Sequence, residues 1–353
     1  MNSLSTEDST RKIKNISAVF GCFVIILSTF AVTNSASASV NSWQKGVSLV
    51  PAANNDFSNT NFKQSLKNAA TIGANMATFV VPYYQMNDTS ADIQSGWNTP
   101  TDATLKDAID YAHSLGMQAT IKIHLSPYYG DSWEAYINPT DRTAWFNAYG
   151  TILEHYAKLG QATAADQIII GNELSALSTN ANPDNTVQWQ KMIVSMRALY
   201  SGALTYNANW GTDPANDEPD NIAFWSSLDA IGLSAYYNLN DDMATSWSSA
   251  NQNNIQPLQQ KFNKPIIFTE VGYRSVDGAH LQPWNYTLNG NVNQQEQAND
   301  YNALFNYWKD YSYMKGINIW DWHTDPNAGG NNTDYTIQNK AAQQTVASWF
   351  LGN

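Results

Sequence analysis

Two short stretches carry the side chains best suited to chemistry. "QIIIGNELSA" (167–176) runs three isoleucines into Gly171, Asn172 and Glu173, and "PIIFTEV" (265–271) runs two isoleucines and a phenylalanine into Thr269 and Glu270. Each is a strand-like apolar run that ends by presenting a glutamate. Such a run reads as a strand buried on both faces, so its polar end marks the place where the strand reaches an open rim. Two carboxylates acting on one bond are what glycosidic cleavage requires. One attacks or stabilises the anomeric carbon, and the other protonates the leaving oxygen and later activates water. The acid of the pair needs a raised pKa, which a partly buried rim and a like-charged neighbour both supply.

These glutamates need a scaffold that brings distant strand ends to one place. Eight short runs rich in Val, Ile and aromatics recur along the chain, at 45–50, 76–81, 119–125, 167–173, 204–209, 230–236, 265–271 and 316–322. Helix-like stretches lie between several of them. "DATLKDAIDYAHSLG" has apolar residues at helical spacing, Asp102 near its start and Gly116 as its stop, and "TDRTAWFNAYGTILEHYAKLG" repeats the pattern and stops at Gly160. Helices are also expected in "NQQEQANDYNALFNYWKDYSYMKG" and "NKAAQQTVASWF". Eight β–α units in series predict an α/β chain folded as a single (β/α)8 TIM barrel over 43–353. A doubly wound open sheet is the competing architecture. It usually carries a glycine-rich phosphate turn, and neither G-x-G-x-x-G nor G-x-x-x-x-G-K-[ST] occurs here. In the barrel, Glu173 ends the fourth strand and Glu270 the seventh, and their spacing suits three β–α units. "NNDFSNTN", "DSWEAYINPTD" and "DPNAGGNNTD" read as βα loops on one rim.

The bulk composition narrows the classes. The chain has 353 residues, with 12% aromatic and only 14% charged side chains and a net charge of −12. An acidic surface without a basic stripe excludes nucleic acid as a natural partner. Residues 1–38 read as a signal peptide. Arg11, Lys12 and Lys14 precede the apolar "ISAVFGCFVIILSTFAV", and "SASAS" offers small residues for cleavage. The apolar run is long enough to stay as an anchor if it is not cleaved, so a membrane enters only in that case. The expected location is extracellular, with cell-surface anchoring as the variant. Cys22, the single cysteine, falls inside this run, so the mature chain would offer neither a disulfide nor a cysteine nucleophile. The five histidines are scattered without H-E-x-x-H, "DPNAGGNNTD" lacks calcium-loop spacing, and no G-x-S-x-G is present. No metal or cofactor is expected.

The order of the blocks "FVVPYYQ", "DATLKDAIDYAHSLGMQATIKIHL", "WFNAYGTILEHYAKLG", "IIIGNEL", "IGLSAYY", "IIFTEVGYRS", "INIWDW" and "DYTIQNKAAQQTVASWF" resembles clan A of the glycoside hydrolases, and within it family 113, the β-mannanases. The resemblance runs over most of 45–350. It implies a retaining enzyme acting on a β-linked polysaccharide or oligosaccharide by double displacement, with Glu173 as acid/base and Glu270 as nucleophile. It further implies that Asn172 contacts the sugar 2-hydroxyl, that Tyr236 stands beside the nucleophile and that Trp320 forms a platform for the sugar. Lys122 and His124, ending the third strand, would contact sugar hydroxyls. Tyr83 and Tyr84 at the end of the second strand, and Trp322 beside Trp320, are further candidates for substrate contact, with packing as the alternative. Trp97, Trp133, Trp210 and Trp284 lie in or near loops, where outer sugar subsites or burial would each account for them. The substrate expected is β-1,4-mannan. Two other readings remain open: a different clan A β-glycanase (β-glucanase, xylanase or galactanase), and a carbohydrate-binding barrel without catalysis.

Overall fold

The computed structural model describes residues 42–128, 133–211 and 217–352. The expected signal peptide, Cys22 included, lies outside the described residues. Nine strands are described: β1 Gln44–Leu49, β2 Met76–Gln85, β3 Ile93–Ser95, β4 Gln118–Pro127, β5 Gln167–Asn172, β6 Ala203–Asn209, β7 Ile231–Ser234, β8 Ile266–Val271 and β9 Met314–Ile319. All pair in parallel except β3, a short antiparallel addition to β2. The parallel strands follow one another around the sheet, and β1 pairs with both β2 and β9, which closes an eight-stranded barrel. The polar, largely exposed "IQS" of β3 gave no strand signal in the sequence.

The helices are α1 Thr60–Thr71, α2 Asp102–Ser114, α3 Arg142–Thr163, α4 Ser175–Ser178, α5 Pro183–Leu199, α6 Glu218–Asn221, α7 Met243–Ala250, α8 Gln256–Phe262, α9 Gln294–Trp308 and α10 Ala341–Gly352. Their starts are chemically explicit. The side chains of Asn59, Thr101, Asp141, Asn182, Asp242 and Asn293 each accept a hydrogen bond from a first-turn N–H, which would otherwise lack a partner. Gly116 ends the α2 segment at φ +76° as expected. Gly160 does not stop α3, which continues to Thr163 and ends at Ala164 with φ +55°. Gly160 serves packing instead: a Cβ there would lie 3.1 Å from Ile168 and 3.3 Å from Tyr200.

The main apolar core lies between barrel and helices, and a set of polar side chains meets inside the barrel. Bonds between strands that are not neighbours must cross the interior. Gln44 on β1 donates to Gln167 on β5 at 3.0 Å, and Thr78 on β2 donates to Asn318 on β9 at 3.0 Å. The Asn318 side chain is the reason β1 has Gly46, where a Cβ would come within 1.8 Å of its oxygen. Ile168 and Ile170 of β5 and Ile266 of β8 face the helices, packed with side chains such as Trp189, Trp247 and Trp308, while the alternate Ile169 and Ile267 are buried on the opposite face of the sheet. Lys122 is fully buried inside the barrel.

Candidate active site

Both glutamates sit just beyond an irregularity in their own strand. Along β5 and β6, Ile169 pairs with Thr205, but the next pair is Asn172 with Asn207, so β5 carries an extra residue. Along β7 and β8, Leu233 pairs with Phe268 and Ser234 with Glu270, so β8 carries one too. A bulge of this kind bends the strand and re-aims the side chains that follow it. Glu173, one residue past β5, adopts φ +49°, in the left-handed region that side-chain-bearing residues seldom occupy. Three hydrogen bonds impose that conformation. The Glu173 N–H donates to the Asn207 carbonyl at 2.8 Å, the Ser175 N–H to the Glu173 carbonyl at 3.0 Å, and the Leu174 N–H to the Tyr206 hydroxyl at 2.7 Å. Such conformations persist where the surroundings over-determine them.

The two carboxyls open onto one cleft of about 600 Å³. Trp133, Trp210, Trp284, Tyr286, Trp320 and Tyr335 form its aromatic walls, and Asn209, Gly211, Tyr236 and Asn238 complete the lining. The carboxyls differ in their partners. Glu270 accepts from the Tyr236 hydroxyl at 2.7 Å and takes the Lys122 ammonium on its other oxygen. Burial and the Glu270 charge push the Tyr236 phenol well above its ordinary value, so it remains a donor. Glu173, 7% exposed, accepts from the Trp133 indole at 2.8 Å. Burial, followed by the charges of Glu134 and Glu270, pushes Glu173 up to about 8. Near neutrality one carboxyl thus holds a proton while the other is braced by a cation.

A polar chain links these groups. The Asn172 amide donates to Glu134 at 2.8 Å, and Glu134 also meets His124 at 3.0 Å. Asn207 donates to Asn172 and, at 2.8 Å, to Ser234, and accepts from Thr269. Behind it, the buried Glu218 accepts from Tyr206 at 2.6 Å, from the Asn209 N–H at 2.7 Å and from Ser178. Burial pushes Glu218 up to about 7.

The structure brings Glu173, Glu270, Tyr236 and Trp320 together on the cleft. Asn172 and Lys122 stand immediately behind it, 2% and 0% exposed. Lys122 therefore does not reach out to sugar hydroxyls as expected; its ammonium is spent on Glu270 and lies 5.2 Å from the centre of the Trp320 ring. His124 is turned to Glu134, with its ring 6.5 Å from that of Trp320. Tyr83 and Trp322 do not line the cleft. Tyr83 faces the helix layer, its hydroxyl 3.2 Å from that of Tyr156 on α3. Trp322, 1% exposed, is a core residue whose indole donates to the Ser65 hydroxyl of α1 at 2.9 Å. Among the loop tryptophans, Trp133, Trp210 and Trp284 reach the cleft, while Trp97 stacks on Tyr84 away from it. Sequence reasoning missed Glu134, Glu218 and Tyr335. Glu134 lies in "DSWEAYINPTD", recognised only as a rim loop, and neither of the others ends a strand.

A closed barrel whose cleft holds two buried-rim carboxyls, one protonated and one cation-braced, defines a class of carbohydrate-active (β/α)8 proteins. The chain belongs to Glycoside Hydrolase Family 113, whose profile matches residues 49–340. It is accordingly a glycoside hydrolase, and its substrate is a polysaccharide or oligosaccharide. Among solved structures it is similar to a family 113 β-1,4-mannanase, with 27% identity, a TM-score of 0.79 and coverage of 88% of this chain and 100% of that one. A family 113 β-mannanase from Alicyclobacillus acidocaldarius gives 24% identity and a TM-score of 0.79 over 89% of this chain and 99% of that one, a likeness of fold. A β-glucuronidase from Ruminococcus gnavus shares the fold alone, with 12% identity and a TM-score of 0.62 over 88% of this chain and 51% of that one. No curated protein matches the chain.

Proposed function

We propose that this protein is a secreted, retaining β-1,4-mannanase. The observation that carries the mechanism is the unequal treatment of two carboxyls on one cleft: burial raises Glu173 to about 8, and Lys122 and Tyr236 clamp Glu270. A proton held near neutrality suits a general acid, and a clamped, charge-balanced carboxylate suits a nucleophile. In the first step a Glu270 oxygen forms a bond to the anomeric carbon. The glycosidic bond breaks, and the leaving oxygen takes the Glu173 proton. In the second step Glu173, now a base, removes a proton from water, whose oxygen displaces Glu270 and restores the starting configuration. Trp320 offers a flat apolar face to a sugar ring. Family membership and the 27% identical mannanase structure favour mannan as the substrate.

The test has two parts. Reducing sugar is expected from soluble mannan or glucomannan in preference to β-glucan, xylan and galactan; no release from either mannan would move the reading to another β-glycanase. The first product from a defined mannan oligosaccharide, followed by NMR, is expected to be the β anomer. An α anomer formed first would refute retention, as would a crystal structure with the two carboxyls well beyond the roughly 5–5.5 Å that double displacement uses. Export is tested by N-terminal sequencing of protein recovered from culture medium.

A further inference from the structure

Outside the cleft, one carboxylate is buried with nothing among the described residues to hold it. Asp300 on α9 is 0% exposed, and neither of its oxygens has a hydrogen-bond partner. One turn earlier on the same helix face stands Glu296, and against both lies His280, from the short turn Ala279–Leu281 in the β8–α9 connection. The His280 Nδ1 is 2.7 Å from Glu296, and its Nε2 has no hydrogen-bond partner, its nearest acid being the exposed Asp241 at 3.6 Å. One ligand atom from each of His280, Glu296 and Asp300 lies within 4.8 Å of the others. The hydroxyls of Tyr273 and Tyr301, which feel the Asp300 charge, are also buried without partners.

We propose that His280, Glu296 and Asp300 form a binding site for one divalent transition-metal ion such as zinc. An imidazole and two carboxylates suit such an ion better than they suit calcium or magnesium, which favour all-oxygen sets. The ion's two positive charges balance the two carboxylates, and a buried anion without a partner is otherwise costly. The site joins α9 to the loop that carries Trp284 and Tyr286, two walls of the cleft. The same loop is tied to its neighbour by the Leu239 N–H to the His280 carbonyl at 2.8 Å and by the Trp284 indole to Asn238 at 3.1 Å. A bound ion would therefore be structural, fixing one wall of the cleft from outside it.

The untagged chain, stripped with EDTA and dialysed, is titrated with zinc chloride by calorimetry, and the bound metal is counted by mass spectrometry. One equivalent is expected, with a rise in Tm on loading, and with calcium or magnesium failing to substitute. Asp300→Asn and His280→Ala should each weaken zinc binding beyond the roughly 10–100-fold that outer partners of a metal site cost, and abolish the Tm rise. His280 is only partly buried, so its variant serves if Asp300→Asn fails to fold. Absence of stoichiometric binding, or full binding in a folded variant, overturns the proposal and leaves a site bridged by water. The readout is metal content and stability, so it stands or falls independently of the sugar chemistry.

Discussion

Lys122 on β4 and Glu270 on β8 meet across the inside of the barrel, ammonium to carboxylate, beneath the floor of the cleft. Their strands are not neighbours, so the pair spans the barrel. Lys122 is wholly buried and Glu270 nearly so. Replacing Lys122 by Met leaves a carboxylate in low dielectric with Tyr236 as its remaining donor. Removing one partner of a buried pair costs about 3–5 kcal/mol. Lys122→Met should therefore lower stability by about 3 kcal/mol in urea unfolding, and should also depress kcat. A variant with unchanged unfolding would mean the pair is not formed in solution.

The two glutamates should fail differently. On the proposed mechanism Glu173→Ala removes the acid, which matters in proportion to how poor the leaving group is. With mannan oligosaccharides kcat should fall by about 10²–10⁴, whereas an aryl glycoside with an acidic phenol leaves without protonation and should lose much less in its first step. With Glu270 as the proposed nucleophile, Glu270→Ala removes the attacking atom and should lose activity on both substrates alike. Steady-state and burst kinetics on the pair of substrates check this. Equal loss from Glu173→Ala on both would reassign the acid.

Strand order and the paired glutamates were legible because they are local signals: a buried parallel strand is a continuous apolar run, and a glutamate at its end is conspicuous. What was not legible depends on contacts between distant segments. Alternation along the third barrel strand put Lys122 and His124 on one face, but not that Lys122 would be met there by Glu270. Trp322 follows Trp320 by two residues, yet the strand has ended at Ile319 and period-two reasoning no longer applies. Its ring turns to α1, while that of Trp320 faces the cleft. The bulges in β5 and β8 leave no mark in a run of isoleucines. Glu134 is one acid in a polar loop until Asn172 and His124 are seen to converge on it.

Activity and stability should share a pH dependence with one sign. Glu173 and Glu218 are raised by burial to about 8 and about 7, from an ordinary value of 4.5. Above 4.5 the unfolded chain has released protons that the folded protein still holds, so stability falls with rising pH. The contribution is fully present below about 4.5 and is lost as pH rises through 7 for Glu218 and 8 for Glu173. Tm should decline from pH 5 to pH 8, and Glu173→Gln should make that decline shallower. The kcat/KM profile should have an alkaline limb near pH 8, where the acid loses its proton. A limb near pH 5 would mean that Glu173 is not held protonated.

Tyr206 provides the sharpest test of what sets the left-handed turn at Glu173. Its hydroxyl accepts from the Leu174 N–H at 2.7 Å and donates to Glu218 at 2.6 Å, so one oxygen anchors the backbone beside the proposed acid. Tyr206→Phe keeps the ring among Trp189, Phe224 and Trp225 but strips a buried N–H of its acceptor, a loss of about 1–3 kcal/mol. Tyr206 does not line the cleft, so a purely structural role would lower Tm and leave turnover by the folded fraction unchanged. A positioning role predicts more: kcat falling by at least about tenfold with KM nearly constant, because small misplacement of a reacting group is costly. The alkaline limb should shift as well, since the Glu173 carboxyl would settle into a different surrounding. Unchanged kcat and an unmoved limb in a folded Tyr206→Phe protein would show that Asn207 and Ser175 suffice to hold the turn.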